Sequence, residues 1–223
     1  MNLDNVLSQG VHITSSGTTG TPKKIYRSPS NIQQCIEVAL KAQDITKDSK
    51  VLTVTRMTHA GGLLLQTLPA HYVGAEYTIT QFNPYVFIEQ LKEHSHTFLP
   101  PAMVEALSKT KQFQNADFTN KFVSFGSDPI PAHHVNLFTE RGATVLNNWG
   151  MSEIGPCTIN KRFEPGEVCD QDNILGDKYW CDVSVVDEQI FVKGDLCVYS
   201  GWFATQDLGY EDQGVLYYKG RIK

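Results

Sequence analysis

The chain has 223 residues, 41% of them hydrophobic and 19% charged, with a formal net charge of −5. That length suits one or two domains with a buried core, and an acidic balance without any Lys/Arg block gives no footing for nucleic acid. The first ten residues have neither a basic lead nor an apolar run, and no apolar stretch reaches membrane-spanning length, so neither a signal peptide nor a membrane contact is expected.

In chain order, residues 11–14 read as a strand that feeds a Gly/Thr-rich loop. A helix follows from about Ser30, where Ser30 and Gln33 make a capping box and Ile32, Cys35, Ile36, Ala39 and Leu40 share one face. Residues 51–55 form the next strand and 62–72 a largely buried helix. Residues 75–80 are a strand, 84–93 a helix, and 96–99 a strand stopped by Pro100-Pro101, with a helix beyond. Residues 121–125, 131–140 and 143–146 continue as strand, helix and strand, with His133-His134 at the helix start on the surface. Such alternation implies a mostly parallel sheet with crossover helices.

After about Pro156 helical spacing becomes scarce. Residues 179–186, 189–192, 196–199 and 215–218 are short alternating runs between turn residues, as in a small antiparallel sheet. The expected fold is therefore α/β, with an α/β lobe over residues 1–156 and a β-rich subdomain over 157–223. The five cysteines (Cys35, Cys157, Cys169, Cys181, Cys197) form no CxxC and no zinc-type spacing, and read as buried reduced thiols of a cytoplasmic protein.

The most informative segment is Thr14-Ser15-Ser16-Gly17-Thr18-Thr19-Gly20-Thr21-Pro22-Lys23. Its glycines let the backbone turn tightly, so that consecutive N–H groups can point at one anion. The hydroxyls add donors for phosphate oxygens, and Lys23 adds a point charge. Two familiar phosphate loops are excluded by spelling: Lys23 follows proline rather than glycine, and no G-x-G-x-x-G is present. A plain Ser/Thr/Gly linker is the alternative, but it would not sit between a strand and a capped helix.

The spelling from Ser15 to Lys23 closely resembles the signature loop of the acyl-adenylate-forming superfamily of acyl-CoA synthetases, luciferases and adenylation domains. The resemblance implies that Ser16, Gly17, Thr18, Thr19, Gly20 and Lys23 hold the β- and γ-phosphates of ATP. Downstream, Asn147-Asn148-Trp149-Gly150-Met151-Ser152-Glu153 resembles the family's aromatic-Gly-x-[TS]-Glu motif. By that resemblance Trp149 stacks on adenine, Asn147 lies near its amino group, Ser152 faces the α-phosphate and Glu153 ligates Mg2+, which prefers hard oxygen ligands. Taken singly, Trp149 reads more readily as a core aromatic and Glu153 as a helix-start charge than as site residues.

Gly126-Ser127-Asp128-Pro129-Ile130-Pro131 stands where the family has a Gly-rich turn under the adenine, although Ser127 and Asp128 replace small residues; a simple strand-to-helix turn is the alternative. Residues 201–209, GWFATQDLG, resemble G-W-F-x-T-G-D-L-G, which assigns the ribose hydroxyls to Asp207, with Gln206 in place of glycine. Gly220-Arg221 matches the pair before the family's hinge, whose arginine approaches the nucleotide. His59 falls where relatives place an aromatic or a histidine near the acyl carboxylate; a lone histidine also reads as structural.

The spacing resembles compact members such as o-succinylbenzoate-CoA ligases. Full-length relatives also carry a lobe before the loop and a C-terminal domain whose lysine assists adenylation. The resemblance therefore implies a truncated core that binds ATP or AMP, Mg2+ and a small carboxylic acid, with coenzyme A as one candidate thiol. Weak activity alone, completion by a separate C-terminal domain in trans and a homo-oligomer over the uncovered apolar surface are further expectations. The alternative is a non-catalytic module that binds ATP, AMP or an acyl-adenylate.

Overall fold

A computed structural model describes residues 1–14 and 23–222. The helix α1 (Leu3–Gln9) precedes an antiparallel pair, β1 (Val11–Thr14) with β2 (Lys24–Arg27). The sequence reading passes over β2, whose four residues alternate between exposed and buried directly against the following helix. That helix, α2 (Pro29–Gln43), is capped by Ser28 rather than Ser30. The Ser28 hydroxyl accepts the Asn31 amide, and Pro29 takes a first-turn position where no N–H is needed.

After β3 (Lys50–Thr53) comes a buried π-helix (Gly61–Thr67) that continues into α3 (Leu68–Val73). Pro69 accounts for part of this irregularity. It has no N–H to offer the Leu65 carbonyl, which accepts instead from Gln43 Nε2 at 2.8 Å. The chain then alternates β4 (Glu76–Ile79), α4 (Phe87–Lys92), β5 (His96–Leu99), α5 (Pro101–Ser108), α6 (Lys111–Gln114), β6 (Phe122–Phe125), α7 (Ala132–Thr139) and β7 (Thr144–Met151), and turns back as β8 (Gly155–Phe163). The final third holds β9 (Ile174–Gly176), β10 (Lys178–Tyr179), β11 (Asp182–Val186), β12 (Gln189–Lys193), β13 (Phe203–Asp212) and β14 (Val215–Arg221).

The larger sheet has the order β10-β8-β7-β6-β5-β3-β4, parallel from β7 to β4 and antiparallel at β8 and β10. Successive residues of a strand face opposite sides. Val123, Phe125 and Val145 accordingly pack on α4 to α7 through Phe87, Val104, Phe113 and Phe138. Phe122 and Leu146 pack on α2 and the π-helix through Ile32, Ile36, Leu63 and Leu64. This is the expected mostly parallel sheet between helical layers.

The second sheet, β11-β12-β13-β14-β9, is antiparallel throughout and has its own core of Leu175, Ile190, Val192 and Leu216. Two details differ from expectation. Residues 196–199 form no strand, whereas β13 covers part of the stretch read only as a motif. The division expected between residues 156 and 157 falls inside β8, which stays paired in the larger sheet. All five cysteines are free thiols, and only Cys181 is partly exposed. Among the described residues, no helix is long and apolar enough to cross a membrane.

Candidate functional site

In the parallel part of the sheet, β3 lies between β4 and β5, so the chain reverses its direction of progress across the sheet at that point. Ligands of open α/β sheets bind beyond the carboxyl ends of the strands near such a reversal. Here those ends carry His59 after β3, Gly126 and Ser127 after β6, and Trp149, Ser152 and Glu153 on and after β7. The Thr14 amide donates to the Thr58 carbonyl at 2.9 Å, so the chain leaves β1 beside the His59 segment.

The residues assigned from separate motifs converge most closely at Asp207. This carboxylate is 5% exposed. Its Oδ2 accepts the Trp149 indole N–H at 3.1 Å, and its Oδ1 lies 3.5 Å from Arg221 Nε. The pairing of β13 with β14 places Asp207 opposite Arg221, and the turn of β7 into β8 delivers Trp149. Burial raises the Asp207 carboxyl above its ordinary value, against the opposing pull of the Arg221 charge and the Trp149 hydrogen bond.

Ser152 and Glu153 occupy the three-residue turn between the paired Met151 and Gly155 and are half-buried. Glu153 thus stands in a hairpin turn and not at a helix start. A Cβ on Gly150 would sit 2.1 Å from the Gly155 carbonyl oxygen, so glycine is what permits this fold-back. The Ser152 carbonyl accepts from Arg27, and the Glu153 carbonyl accepts the Val198 amide at 2.9 Å.

The remaining residues vary in how they face the site. Asn147 is buried, and its amide nitrogen donates to the Ile174 carbonyl. Gly126 is buried against Asn148, where a Cβ would lie 2.7 Å from the Asn148 carbonyl oxygen. Ser127 is exposed, with φ of 77°. His59 is half-buried; burial, reinforced by nearby Arg56, lowers its pKa and keeps the ring neutral near pH 7. Lys23 is exposed at the start of the returning segment. Ser16, Gly17, Thr18, Thr19 and Gly20 lie outside the described residues.

Two features escape the sequence reading. Arg27 is completely buried behind Ser152, and its only sequence signal is that it shares the inward phase of β2 with Ile25. His134 is buried rather than on the surface, with Nε2 3.6 Å from Glu105 Oε2. A cavity of about 590 Å³ between the start of α2 and residues 193–201 is lined by none of the assigned residues.

A sequence model described as AMP-binding enzyme matches residues 11–205, which takes in the phosphate loop, the β7–β8 turn and the second sheet as far as the start of β13. The chain belongs to the AMP-binding enzyme family. An indoleacetate–CoA ligase of Aromatoleum aromaticum is 25% identical to this family member over 240 residues, covering 94% of this chain and 47% of that protein. A sulfoacetate–CoA ligase of Cupriavidus necator is 23% identical, with 94% and 47% covered. The chain therefore spans about half the length of these curated relatives.

Among solved structures, the o-succinylbenzoate coenzyme A synthetase of Bacillus subtilis, in complex with ATP and magnesium ion, superposes with a TM-score of 0.79 at 20% identity. The match covers 94% of this chain and 49% of that one. The N-terminal domain of FACL13 from Mycobacterium tuberculosis gives 0.81 at 18% identity, with 95% and 60% covered. This AMP-binding family member thus has the fold of the adenylate-forming N-terminal domain.

Proposed function

We propose that the chain is the nucleotide-binding core of an enzyme that activates a carboxylic acid with ATP, giving acyl-AMP and pyrophosphate. The observation that carries this reading is the meeting of Trp149, Asp207 and Arg221 beside the Ser152–Glu153 turn. A shielded carboxylate is suited to accept both ribose hydroxyls, each such bond contributing roughly 1.5–3 kcal/mol because the acceptor is charged. The Arg221 side chain, 40% exposed, can yield its place on Oδ1 to the sugar. Trp149 offers its ring to the adenine, with Asn147 and the Gly126–Ser127 turn as its neighbours.

The half-buried carboxylate of Glu153 supplies the hard oxygen that Mg2+ requires, and the bound ion would offset phosphate charge. Ser152 Oγ donates to the α-phosphate. His59, neutral at pH 7, donates a hydrogen bond to the acyl carboxylate without adding a charge. Residues 16–20 and Lys23 hold the outer phosphates. The names of the indoleacetate–CoA and sulfoacetate–CoA ligases support a small carboxylic acid as substrate and coenzyme A as thiol.

The test is thermal stability with and without nucleotide, because a ligand of the native state raises the melting temperature by mass action. ATP and AMP should both raise it. Asp207→Asn should abolish that rise without lowering the melting temperature of the free protein. Because Asp207 has a raised pKa, the folded state holds its proton more tightly than the unfolded chain, so ionising the group costs stability above that pKa. Lys23→Ala should weaken ATP more than AMP. Pyrophosphate exchange with a panel of carboxylic acids then tests the chemistry. Nucleotide binding with no exchange for any acid would leave a binding module in place of an enzyme.

A further inference from the structure

We propose that Arg27 is a positioning residue that sets the Ser152–Glu153 turn for the metal-bound phosphates, an inference that rests on the nucleotide site proposed above. Arg27 ends β2 and is 0% exposed. Among the described residues it makes no salt bridge. Its guanidinium is held by neutral acceptors instead. Nε and Nη2 both donate to the Ser152 carbonyl, at 3.1 and 2.7 Å, and Nη1 donates to the Leu196 carbonyl at 2.9 Å and to Asn31 Oδ1.

Asn31 extends the same knot. Its Nδ2 donates to the carbonyls of Asp195 at 2.7 Å and Cys197 at 3.0 Å, while the Val198 amide donates to the Glu153 carbonyl. One guanidinium thus ties together β2, α2, residues 195–198 and the turn that carries Ser152 and Glu153.

Burying a cation without a carboxylate is costly, so this arrangement calls for a compensating role. Two features of the geometry supply one. The two parallel donors on a single carbonyl fix the peptide plane between Ser152 and Glu153, and with it the directions in which the hydroxyl and the carboxylate leave the backbone. A planar fork can do this, whereas an ammonium cannot. The uncompensated charge also lies directly behind the turn at which phosphate would bind, where it favours an anionic ligand. Arg27 touches neither reacting atom nor metal; it acts through the turn.

The experiment compares melting shifts with adenosine, with ATP in EDTA and with ATP plus Mg2+, for the unmutated chain, Arg27→Lys and Arg27→Met. The unmutated chain should show an additional shift that depends on Mg2+. Arg27→Met should lose most of that increment while keeping the adenosine shift, and Arg27→Lys, which retains charge but not the fork, should lose at least half of it. Full retention of the increment in both variants overturns the role of Arg27 and leaves the nucleotide site standing. No shift with any nucleotide in the unmutated chain overturns both. Hydrogen exchange on the unmutated chain covers the case in which the variants do not fold. ATP with Mg2+ should slow exchange at the Val198 amide across the knot, and unchanged exchange there overturns the coupling.

Discussion

Ser127 and Gln206 hold positive φ angles of 77° and 66°, and both are exposed. Left-handed backbone crowds a Cβ, which costs a non-glycine residue about 1–2 kcal/mol. Both positions are also places where the sequence departs from a glycine-rich family spelling. The structure thus gives that departure a physical meaning: the backbone geometry suited to glycine is kept, in a turn at Ser127 and within β13 at Gln206, and the strain is borne next to the proposed adenine and ribose contacts. Ser127→Gly and Gln206→Gly should each raise stability by about 0.5–1 kcal/mol, since glycine relieves the crowding but loses more chain entropy on folding. The urea midpoint measures this, and a lowered midpoint would mean that the side chains hold these backbone conformations.

Gln43, the last residue of α2, links three elements. Its Nε2 donates to Leu65 in the π-helix, and its Oε1 accepts from Gln66 Nε2 at 2.6 Å and from Ser124 of β6 at 2.8 Å. Its backbone carbonyl accepts from His96 Nε2 of β5 at 2.9 Å. Gln43 is 0% exposed, so replacement by leucine would strand several buried polar groups. At about 1–3 kcal/mol for each unsatisfied group, Gln43→Leu should destabilise the fold by about 3 kcal/mol. Denaturant unfolding checks this directly. A near-neutral result would show that the π-helix can find other partners. In the sequence Gln43 is an unremarked polar residue at a helix end; only the meeting of the π-helix with β6 makes it central.

Across the whole molecule, burial lowers the pKa of His59, His96 and His134 below the ordinary value of 6.5. Arg56 reinforces the effect at His59 and His133 at His134, while Gln43 and Asp44 oppose it at His96 and Glu105 at His134. The folded state therefore binds fewer protons than the unfolded chain just below pH 6.5. Stability is full above that value and declines as pH falls through this window. Asp207 contributes in the opposite sense, gaining stability as it protonates at more acidic pH. The urea midpoint should fall as pH is lowered from about 7 towards 5.5, the titration range of histidines. His96→Gln, which retains a donor towards the Gln43 carbonyl, should flatten that fall. A midpoint independent of pH would show that the rings are protonated in the folded protein.

The sequence by itself determined the alternation of strands and helices through the parallel sheet, because hydrophobic period and Gly/Pro punctuation are local properties of the chain. It also determined the family, because the phosphate loop, the Trp149–Glu153 turn and the Asp207 motif are contiguous spellings. Only the tertiary structure decided how these spellings meet. Trp149 and Asp207 are 58 residues apart and joined by one hydrogen bond, and Arg27 reaches Ser152 across 125. Tertiary pairing also decided that β8 stays with the larger sheet and that residues 196–199 form no strand, with the Leu196 and Cys197 carbonyls accepting from Arg27 and Asn31. A buried polar group takes whichever partner the packing brings within about 3 Å, and no local pattern encodes that partner.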